Sequence, residues 1–273
     1  MLLKMELTDL FSDLNKTGQN LLNEINEQKP LILQLTNEVT MNDSASITLN
    51  WGALPVMSGG KEDAAEMVES AAALLINIGT LNDHKLEVML NAGRKANQLG
   101  IPVILDPVGA GATDYRIKSV NILLDQLDFA VIKGNQSEID ILAGVDSEIR
   151  GVESMAAGDN YKDSARKLAE SHSAITVVTG SEDYIADSDR AISLAGGDEM
   201  LGAVVGTGCM LGSSLAVFAA VSDHEPDLFK RVVAAVHLYN VAGEKAGRIK
   251  YSPTAFKTEF LDSIYHKSSN PDS

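Results

Sequence analysis

The sequence predicts an α/β fold with a mostly parallel central sheet between layers of helices, and three observations predict it. Short apolar runs alternate with segments of helical periodicity over most of the 273 residues, as in repeated βα units. Loops with small or polar residues follow these runs, as at the carboxyl ends of parallel strands. No linker rich in Pro, Gly and Ser divides the chain, so we expect residues 1–273 to form one domain.

Predicted strands and helices alternate up to Thr179, and the pattern then changes. The strands are 31–36, 73–79, 102–106, 129–133 and 174–180, and the helices are 41–52, 61–72, 83–99, 114–127, 136–143 and 161–171. The alternating segment EDYIADSDRAISL predicts an antiparallel hairpin. A glycine-rich turn then leads into an apolar helix and two further helices at 225–247 and 252–266. The first thirty or so residues have the pattern of an amphipathic helix that packs on the body or forms an interface arm.

Charge and composition exclude several classes of function. With 22 basic and 38 acidic side chains the formal net charge is −16, which disfavours nucleic acid as a partner because phosphate backbones require a basic surface. Cys209 is the only cysteine, so an intramolecular disulfide is excluded, and the five histidines lie too far apart in sequence for a typical zinc site. The sequence lacks a secretory signal and an apolar run of roughly 20 residues, so we expect a cytoplasmic protein without membrane contact.

The segment Gly206-Thr207-Gly208-Cys209 stands where the apolar helix begins. Its glycines allow a sharp turn that exposes successive backbone N–H groups at a helix N-terminus, where phosphoryl groups bind. Cys209 falls in the first helical turn, where the helix dipole favours a thiolate and hence a base for a substrate hydroxyl. A plain glycine-rich helix start with a small buried cysteine gives the same pattern.

Two other segments combine the end of a predicted strand with a carboxylate. Asp106 ends a strand and precedes a glycine loop, an arrangement suited to binding a metal ion or a phosphate. In KGNQSE, Lys133 offers charge to a phosphate, while Asn135 and Glu138 are spaced to orient a water-bound Mg²⁺. Structural alternatives remain for both segments: Asp106 as a helix cap, and Asn135 with Glu138 as a capping box.

The remaining signals are negative or weak. The P-loop pattern GxxxxGK[ST] is absent, so ATP binding requires another scaffold. An NAD oxidoreductase is disfavoured because Asp114 in GAGATD stands where GxGxxG requires its third glycine. Met57 suits contact with an apolar heterocycle or core packing, and Trp51, the only tryptophan, is predicted to serve packing or an interface.

The chain resembles the hydroxyethylthiazole kinase family of the ribokinase-like superfamily, from about residue 31 to the helix after Cys209. The resemblance rests on the segments LTNEVTMNDSASITLNWGALPVMS, LLINIGTL, GIPVILDPVGAGATDYR, VIKGNQSEIDILAG, ITVVTGSEDYIAD and VVGTGCMLGSSLAVFAA, in that order. It implies a ribokinase-like three-layer sandwich and a homotrimer with active sites at subunit interfaces. It also implies transfer of the ATP γ-phosphate to the hydroxyl of 4-methyl-5-(2-hydroxyethyl)thiazole, in thiamine biosynthesis or salvage.

The resemblance implies roles for individual residues as well. The residues of the anion hole would be Gly206, Thr207 and Gly208, with Cys209 beside the substrate hydroxyl. The residues contacting the thiazole would be Met57, Asn37, Val39 and Gly206. The residues contacting ATP would be Lys133, Thr179 and Asn135, and those organising the Mg²⁺ ion would be Asp106 and Glu138.

Two positions depart from the family pattern, and several other functions remain as alternatives. Members often have Arg where Lys133 stands, which replaces a planar fork by a point charge, and Thr where Val205 stands, which removes a hydroxyl. Other ribokinase-like kinases and a nucleotide-dependent dehydratase resemble GTGD or GAGD rather than GTGC. A non-catalytic thiazole or nucleotide binder is opposed by the presence of Asp106, Glu138 and Cys209.

Overall fold

The structure is a computed structural model that describes residues 2–144, 160–248 and 252–269. Its strands are β1 (Leu31–Leu35), β2 (Leu54–Met57), β3 (Ala73–Asn77), β4 (Val103–Asp106), β5 (Val131–Asn135), β6 (Ile175–Thr179), β7 (Glu182–Ala186) and β8 (Ala191–Ala195). Its helices are α1 (Leu2–Gln28), α2 (Met41–Asn50), α3 (Lys61–Val68), α4 (Asp83–Leu99), α5 (Asp114–Gln126), α6 (Gln136–Leu142), α7 (Asn160–His172), α8 (Met200–Ala203), α9 (Thr207–Ala219), α10 (Leu228–Gly247) and α11 (Pro253–Ser269).

The strands of the described chain form an eight-stranded sheet in the order β2-β1-β3-β4-β5-β6-β7-β8. The pairs from β2 to β6 are parallel, whereas β7 pairs antiparallel with β6 and β8 with β7. The predicted mostly parallel sheet and the hairpin are therefore confirmed. Because the carboxyl ends of the parallel strands meet at one edge, polar residues from distant parts of the sequence become neighbours there.

Apolar side chains alternate between the two faces of the sheet and form a core on each. Leu75 and Ile104 face one core, which contains buried residues of α1, α9, α10 and α11. Their sequence neighbours Leu74 and Leu105 face the other, which contains residues of α3, α4, α5 and α7. This alternation is the period of two expected for strands buried on both faces. The predicted three-layer sandwich is therefore confirmed.

The N-terminal helix belongs to the first of these cores. Leu14, Leu21, Leu22 and Ile25 of α1 are buried, and α1 contacts α9, α10 and α11. The sequence predicted that this helix either packs on the body or forms an interface arm, and packing on the body is observed. None of the described helices combines the length and the apolar character that a membrane span requires.

The sequence did not predict β2, and it placed β5 two residues too early. β2 was not predicted, and it is an edge strand that carries Pro55 and has no buried residue. Pro is tolerated in an edge strand because one side of the strand needs no ladder hydrogen bonds. β5 runs two residues further than predicted, so Lys133 lies inside the strand rather than at its end, opposite Val177 of β6. α6 follows directly at Gln136.

Candidate active site

A buried ion pair lies at the carboxyl edge of the sheet and joins two of the predicted site residues. Lys133 Nζ is 3.1 Å from Asp106 Oδ1 and also donates to the Gly208 carbonyl oxygen at 3.0 Å. Asp106 Oδ2 accepts a hydrogen bond from Asn77 Nδ2 at 2.7 Å, in register with the pairing of Asn77 and Asp106 across β3 and β4. The carboxylate therefore connects two strands to the first turn of α9.

Asn37, in the loop after β1, extends this network to the cysteine. Its Nδ2 donates to Asn77 Oδ1 at 2.9 Å and to Cys209 Sγ at 3.3 Å, while its Oδ1 accepts from the backbone N–H of Thr40 at 3.0 Å. Every polar atom of the Asn37 side chain is thus engaged, and the amide orientation follows from its partners. Cys209, Asn37, Asn77, Asp106, Lys133 and Gly208 form a closed polar ring.

The N-terminus of α9 supplies backbone donors next to this ring. Gly206 is the N-cap with φ +97, and no side chain caps the helix. A side chain at Gly206 would also approach Thr40 Cγ2 to 3.0 Å, so glycine suits this turn on both counts. The first N–H groups of a helix have no intrahelical partner, and the helix dipole makes them a favourable site for an anion.

Glu138 stands in the predicted capping box of α6, and this structural alternative is confirmed. Asn135 Oδ1 accepts from the backbone N–H of Glu138 at 2.9 Å, and Glu138 Oε2 accepts from that of Asn135 at 2.8 Å. Glu138 Oε1 accepts from the N–H of Gly109 at 2.8 Å, which links the box to the glycine loop after β4. The helix-cap alternative for Asp106 is wrong, because Thr113 caps the following helix α5.

Burial and neighbouring charges shift the pKa values of the ion pair. Burial, opposed by the charge of Lys133, raises the pKa of Asp106 to about 6. Burial lowers the pKa of Lys133, but the charges of Asp106, Glu138 and Cys209 outweigh this effect and hold it above its ordinary value. Both groups are therefore ionised at neutral pH, so Asp106 acts as the counter-ion of a permanently cationic Lys133.

Two cavities border the ring. One, of about 600 Å³, is lined by Thr207 and Gly208 of the turn and by Thr179 at the end of β6. The other, of about 280 Å³, is lined by Thr36, next to Asn37, and by Met57 at the end of β2. Asn37 lies in sequence between Thr36 and Glu38 of the smaller lining, and Cys209 follows Gly208 of the larger lining, so the contact between Asn37 and Cys209 joins the segments next to the two cavities.

Five apolar side chains line much of the smaller cavity. Leu35, Met41, Met57, Val88 and Met89 line it together with Lys85, whose ammonium group contacts Glu38 and Thr80. Val39 is not among the lining residues and is 68% exposed. A pocket rich in methionine suits a small apolar heterocycle.

Several residues at the site were not singled out from the sequence. Asn77 lies in LLINIGTL, one of the segments of the resemblance, but no role was predicted for it, yet it bridges Asn37 and Asp106. Arg116 of α5 donates to the carbonyl oxygens of Ile78, Gly79 and Val108 and so connects the loops that follow β3 and β4. No local motif marks Asn77; a polar residue at the end of a strand that is otherwise apolar is the one signal for it.

The larger cavity also contains residues from the hairpin and from α10. Asp183 accepts from Asn240 Nδ2 at 2.8 Å and from the backbone N–H of Gly180 at 3.2 Å. Burial raises the pKa of Asp183, while the hydrogen bonds from Asn240 and Gly180 oppose this shift. Tyr239, which also lines the cavity, donates to the Thr207 carbonyl oxygen at 2.6 Å.

Among the described residues no group of three or more His, Cys, Asp or Glu side chains is arranged to hold a metal ion by itself.

Two solved structures have folds similar to that of this chain. A hydroxyethylthiazole kinase from Pyrococcus horikoshii OT3 superposes with a TM-score of 0.81 at 35% identity, covering 92% of this chain and 93% of that one. A more distant neighbour, an ADP/ATP-dependent NAD(P)H-hydrate dehydratase from Bacillus subtilis co-crystallised with ATP/Mg²⁺, has a TM-score of 0.60 at 16% identity, covering 89% and 91%. The second likeness concerns the fold alone.

Sequence comparison identifies the family. The profile of the Hydroxyethylthiazole kinase family matches residues 22–270, a longer stretch than the segments that first indicated the resemblance. A hydroxyethylthiazole kinase from Thermoanaerobacter pseudethanolicus is 45% identical over 250 residues, or 91% of this chain and 94% of the relative. One from Desulforudis audaxviator is 45% identical over 254 residues, covering 93% and 92%. The chain belongs to the hydroxyethylthiazole kinase family.

Proposed function

We propose that the two cavities hold the two substrates of ATP-dependent thiazole phosphorylation, with the polar ring of Cys209, Asn37, Asn77, Asp106, Lys133 and Gly208 between them. Membership of the family makes the chain a phosphotransferase that moves the γ-phosphate of ATP to the hydroxyl of 4-methyl-5-(2-hydroxyethyl)thiazole. The observation that carries the assignment is the contact between Asn37 and Cys209, whose sequence neighbours Thr36 and Gly208 line the smaller and the larger cavity respectively.

The smaller cavity is the proposed thiazole site. Its volume of about 280 Å³ suits a single five-membered ring with its short side chain, and Met57 offers a polarisable thioether to the ring. Asn37, Val39 and Gly206 remain proposed contacts. Val39 and Met41 are exposed beside this cavity, which supports a site completed by a neighbouring subunit of a homotrimer.

The larger cavity is the proposed ATP site. The backbone donors of Gly206, Thr207 and Gly208 form the anion hole, and Thr179 contributes to the lining. Lys133 supplies the fixed positive charge behind this turn, since its ammonium group binds the Gly208 carbonyl oxygen. Asn135 precedes α6 on the neighbouring strand, opposite Thr179. In a protein of net charge −16, such local donors are what a triphosphate requires.

Asp106 and Glu138 fit a hard divalent cation. Each carboxylate oxygen accepts one hydrogen bond, which leaves a second lone pair, and oxygen is the ligand type that Mg²⁺ prefers. The small number of carboxylates suits an ion that keeps several waters and binds mainly to substrate phosphates. When bound, Mg²⁺ supplies neutralisation of charge on the transferring phosphoryl group.

The residues of the chain contribute positioning, charge and a proton acceptor. The α9 turn orients the terminal phosphoryl group, and Lys133 stays cationic beside it because its pKa is raised. As a thiolate, Cys209 Sγ accepts the proton of the substrate hydroxyl as the oxygen attacks the γ-phosphorus and the bond from that phosphorus to the ADP oxygen breaks, and Asn37 holds the sulfur by hydrogen bonding. Phosphoryl transfer depends more on positioning than on a strong base, so Cys209 assists without being indispensable.

The cellular and structural setting is part of the same proposal. One sheet in the described chain contains all eight strands, which supports a single catalytic domain spanning the sequence. Use of ATP and the single free thiol support a cytoplasmic enzyme. The site takes small molecules, and the acidic charge disfavours nucleic acid.

The direct test incubates the purified protein with ATP, MgCl₂ and hydroxyethylthiazole and follows thiazole phosphate and ADP by mass spectrometry. We expect both products to form in equal amounts and to disappear on chelation. Tight thiazole binding without product would favour the non-catalytic binder. Turnover that is unaffected by chelation would contradict only the proposed role of Mg²⁺ and would leave the proposed kinase activity standing.

A further inference from the structure

The side chain of Asn240, on α10, is held in one orientation at the wall of the larger cavity. Its Nδ2 donates to Asp183 Oδ2 at 2.8 Å. The nitrogen of the amide thus faces Asp183, so the oxygen faces away from it. Asn240 is 7% exposed and lines the cavity, and no donor among the described residues contacts its Oδ1. The cavity therefore contains an acceptor whose direction the protein sets.

The loop opposite this amide is built from glycine. Gly196 and Gly197 have φ values of +155 and +82, and both line the same cavity. A Cβ atom at Gly196 would lie 3.2 Å from Asn240 Cβ, and one at Gly197 would lie 3.5 Å from Asn240 Oδ1. Bare backbone next to Asn240 leaves room for a flat group beside the acceptor.

The charges of the residues that line the larger cavity indicate different positions for the triphosphate and for the base of a nucleotide. Asp183, Asp198 and Glu199 line the cavity on the side of the hairpin and the glycine loop, which disfavours a triphosphate there. Gly208 lies next to the cation of Lys133 and belongs to the uncapped N-terminus of α9. The phosphates consequently belong at Gly208, and the uncharged base belongs near Asn240.

We propose that Asn240 selects adenine as the base of the nucleotide substrate by accepting a hydrogen bond from its exocyclic amino group. This inference rests on the proposed ATP site. Adenine presents a donor at position 6, whereas guanine and hypoxanthine present a carbonyl oxygen there, which would face Asn240 Oδ1 as a second acceptor. Apolar side chains of Leu201 and Leu211 and the ring of Tyr239 line the same cavity and suit the base.

The first experiment uses the wild-type protein with hydroxyethylthiazole and three nucleotides: ATP, ITP and purine riboside triphosphate, which has hydrogen at position 6. We expect kcat/KM for ATP to exceed that for ITP by about tenfold or more, since one buried hydrogen bond is replaced by two opposed acceptors. Purine riboside triphosphate should fall between them. Equal kcat/KM for ATP and ITP would overturn the inference without any variant.

The second experiment assigns the discrimination to the residue. Asn240→Leu keeps the approximate size of the side chain and removes the acceptor, so kcat/KM for ATP should fall about tenfold while that for ITP stays nearly constant. Asp183→Asn permits the Asn240 amide to turn over, so the ratio of ATP to ITP should also fall. Asn26→Leu is the matched control, because Asn26 donates to the Ser268 carbonyl oxygen away from both cavities, and its ratio should match wild type.

A third variant distinguishes a failure of the Asn240 inference from a failure of the proposed ATP site. Lys133→Met should raise KM for ATP and ITP equally, because it removes charge near the phosphates and leaves the base contact intact. If Lys133→Met behaves so and Asn240→Leu keeps the wild-type ratio, the site stands and the role of Asn240 is wrong. If Lys133→Met leaves both KM values unchanged, the proposed ATP site itself is wrong.

Discussion

The buried pair of Lys133 and Asp106 makes each residue dependent on the other. Lys133 is 4% exposed and Asp106 is fully buried, so removing either partner leaves an uncompensated charge in the interior. We expect Asp106→Asn and Lys133→Met each to lower the free energy of unfolding by about 3–5 kcal/mol. The combined variant should lose less than the sum of the two, as urea denaturation of all four proteins would measure. Additive losses would contradict the coupling.

Cys209 permits a test of proton transfer that leaves the fold nearly intact. Its side chain is small, and Asn37 retains its hydrogen bond to Asn77 if the sulfur is removed. We expect Cys209→Ala to lower kcat by about 10², the lower limit for loss of a general base, with little change in KM for the thiazole. Cys209→Asp should keep most of the activity because a carboxylate also accepts a proton. Nearly full kcat in Cys209→Ala would show that the cysteine is not a base.

Individual site residues differed in how far the sequence revealed them. Asp106, Lys133 and Cys209 stand in recognisable segments at strand ends or at a helix start, and the structure brings them into one ring. No role was predicted for Asn77 or Asn240. Asn77 reaches Asp106 because β3 and β4 pair in a particular register, and Asn240 reaches Asp183 because α10 packs near the hairpin. Both contacts depend on tertiary structure, which local patterns do not encode.

At the scale of elements, burial decided which strands were predictable. β3 is buried at every position, so its continuous apolar run is a clear signal. β2 has one exposed residue and three half-buried ones, contains Pro55 and pairs only with β1 in the described chain. It therefore lacks both the apolar run and the alternation by which strands are identified. Its pairing with β1 nevertheless places Met57 opposite Gln34, at the smaller cavity.

Arg116 connects the loops that follow β3 and β4 to α5. Its Nη1 donates to the carbonyl oxygens of Ile78 at 2.9 Å and Val108 at 2.7 Å, and its Nη2 to that of Gly79. A lysine has a single ammonium group and cannot reproduce this fork. We expect Arg116→Lys to lower the free energy of unfolding by about 1–3 kcal/mol and kcat by about tenfold.

Thermal unfolding and steady-state kinetics test the role of Arg116. Arg94→Lys is a suitable control, because Arg94 is exposed and contacts Gln126 away from the loops. Equal behaviour of the two variants would rule out a special role for Arg116. A loss of stability with unchanged kcat would mean that Arg116 supports the fold without positioning the site.

On the scale of the whole molecule, the buried His237 of α10, which contacts α1, links the stability of the fold to pH. His237 Nε2 lies 3.2 Å from Asn15 Oδ1 of α1, and burial, with a smaller contribution from Lys267, lowers the pKa of His237 against the opposing charge of Glu244. In the folded state the ring is thus neutral at a pH where the unfolded chain binds a proton. Stability from this group is present above about pH 6.5 and is lost as the pH falls below it.

Comparison of the wild type with one variant separates the effect of His237 on stability from the titration of other groups. Wild type and His237→Gln should be unfolded in urea at pH 8 and at pH 5.5. We expect the wild type to lose more stability than the variant between these values. An equal loss would mean that His237 has the same pKa in both states.

The buried tryptophan has a practical consequence. Trp51 follows α2, donates through Nε1 to Ser214 Oγ of α9 at 2.8 Å and packs edge-on against Phe218 at 5.1 Å between ring centroids. Because it is the only tryptophan, intrinsic tryptophan fluorescence comes from a single buried environment between α2 and α9, which begin at the smaller and the larger cavity respectively. Emission should lie at short wavelength in the native state and shift to the red on unfolding. The chain thus has a built-in optical probe for movement of α2 against α9 when substrates bind.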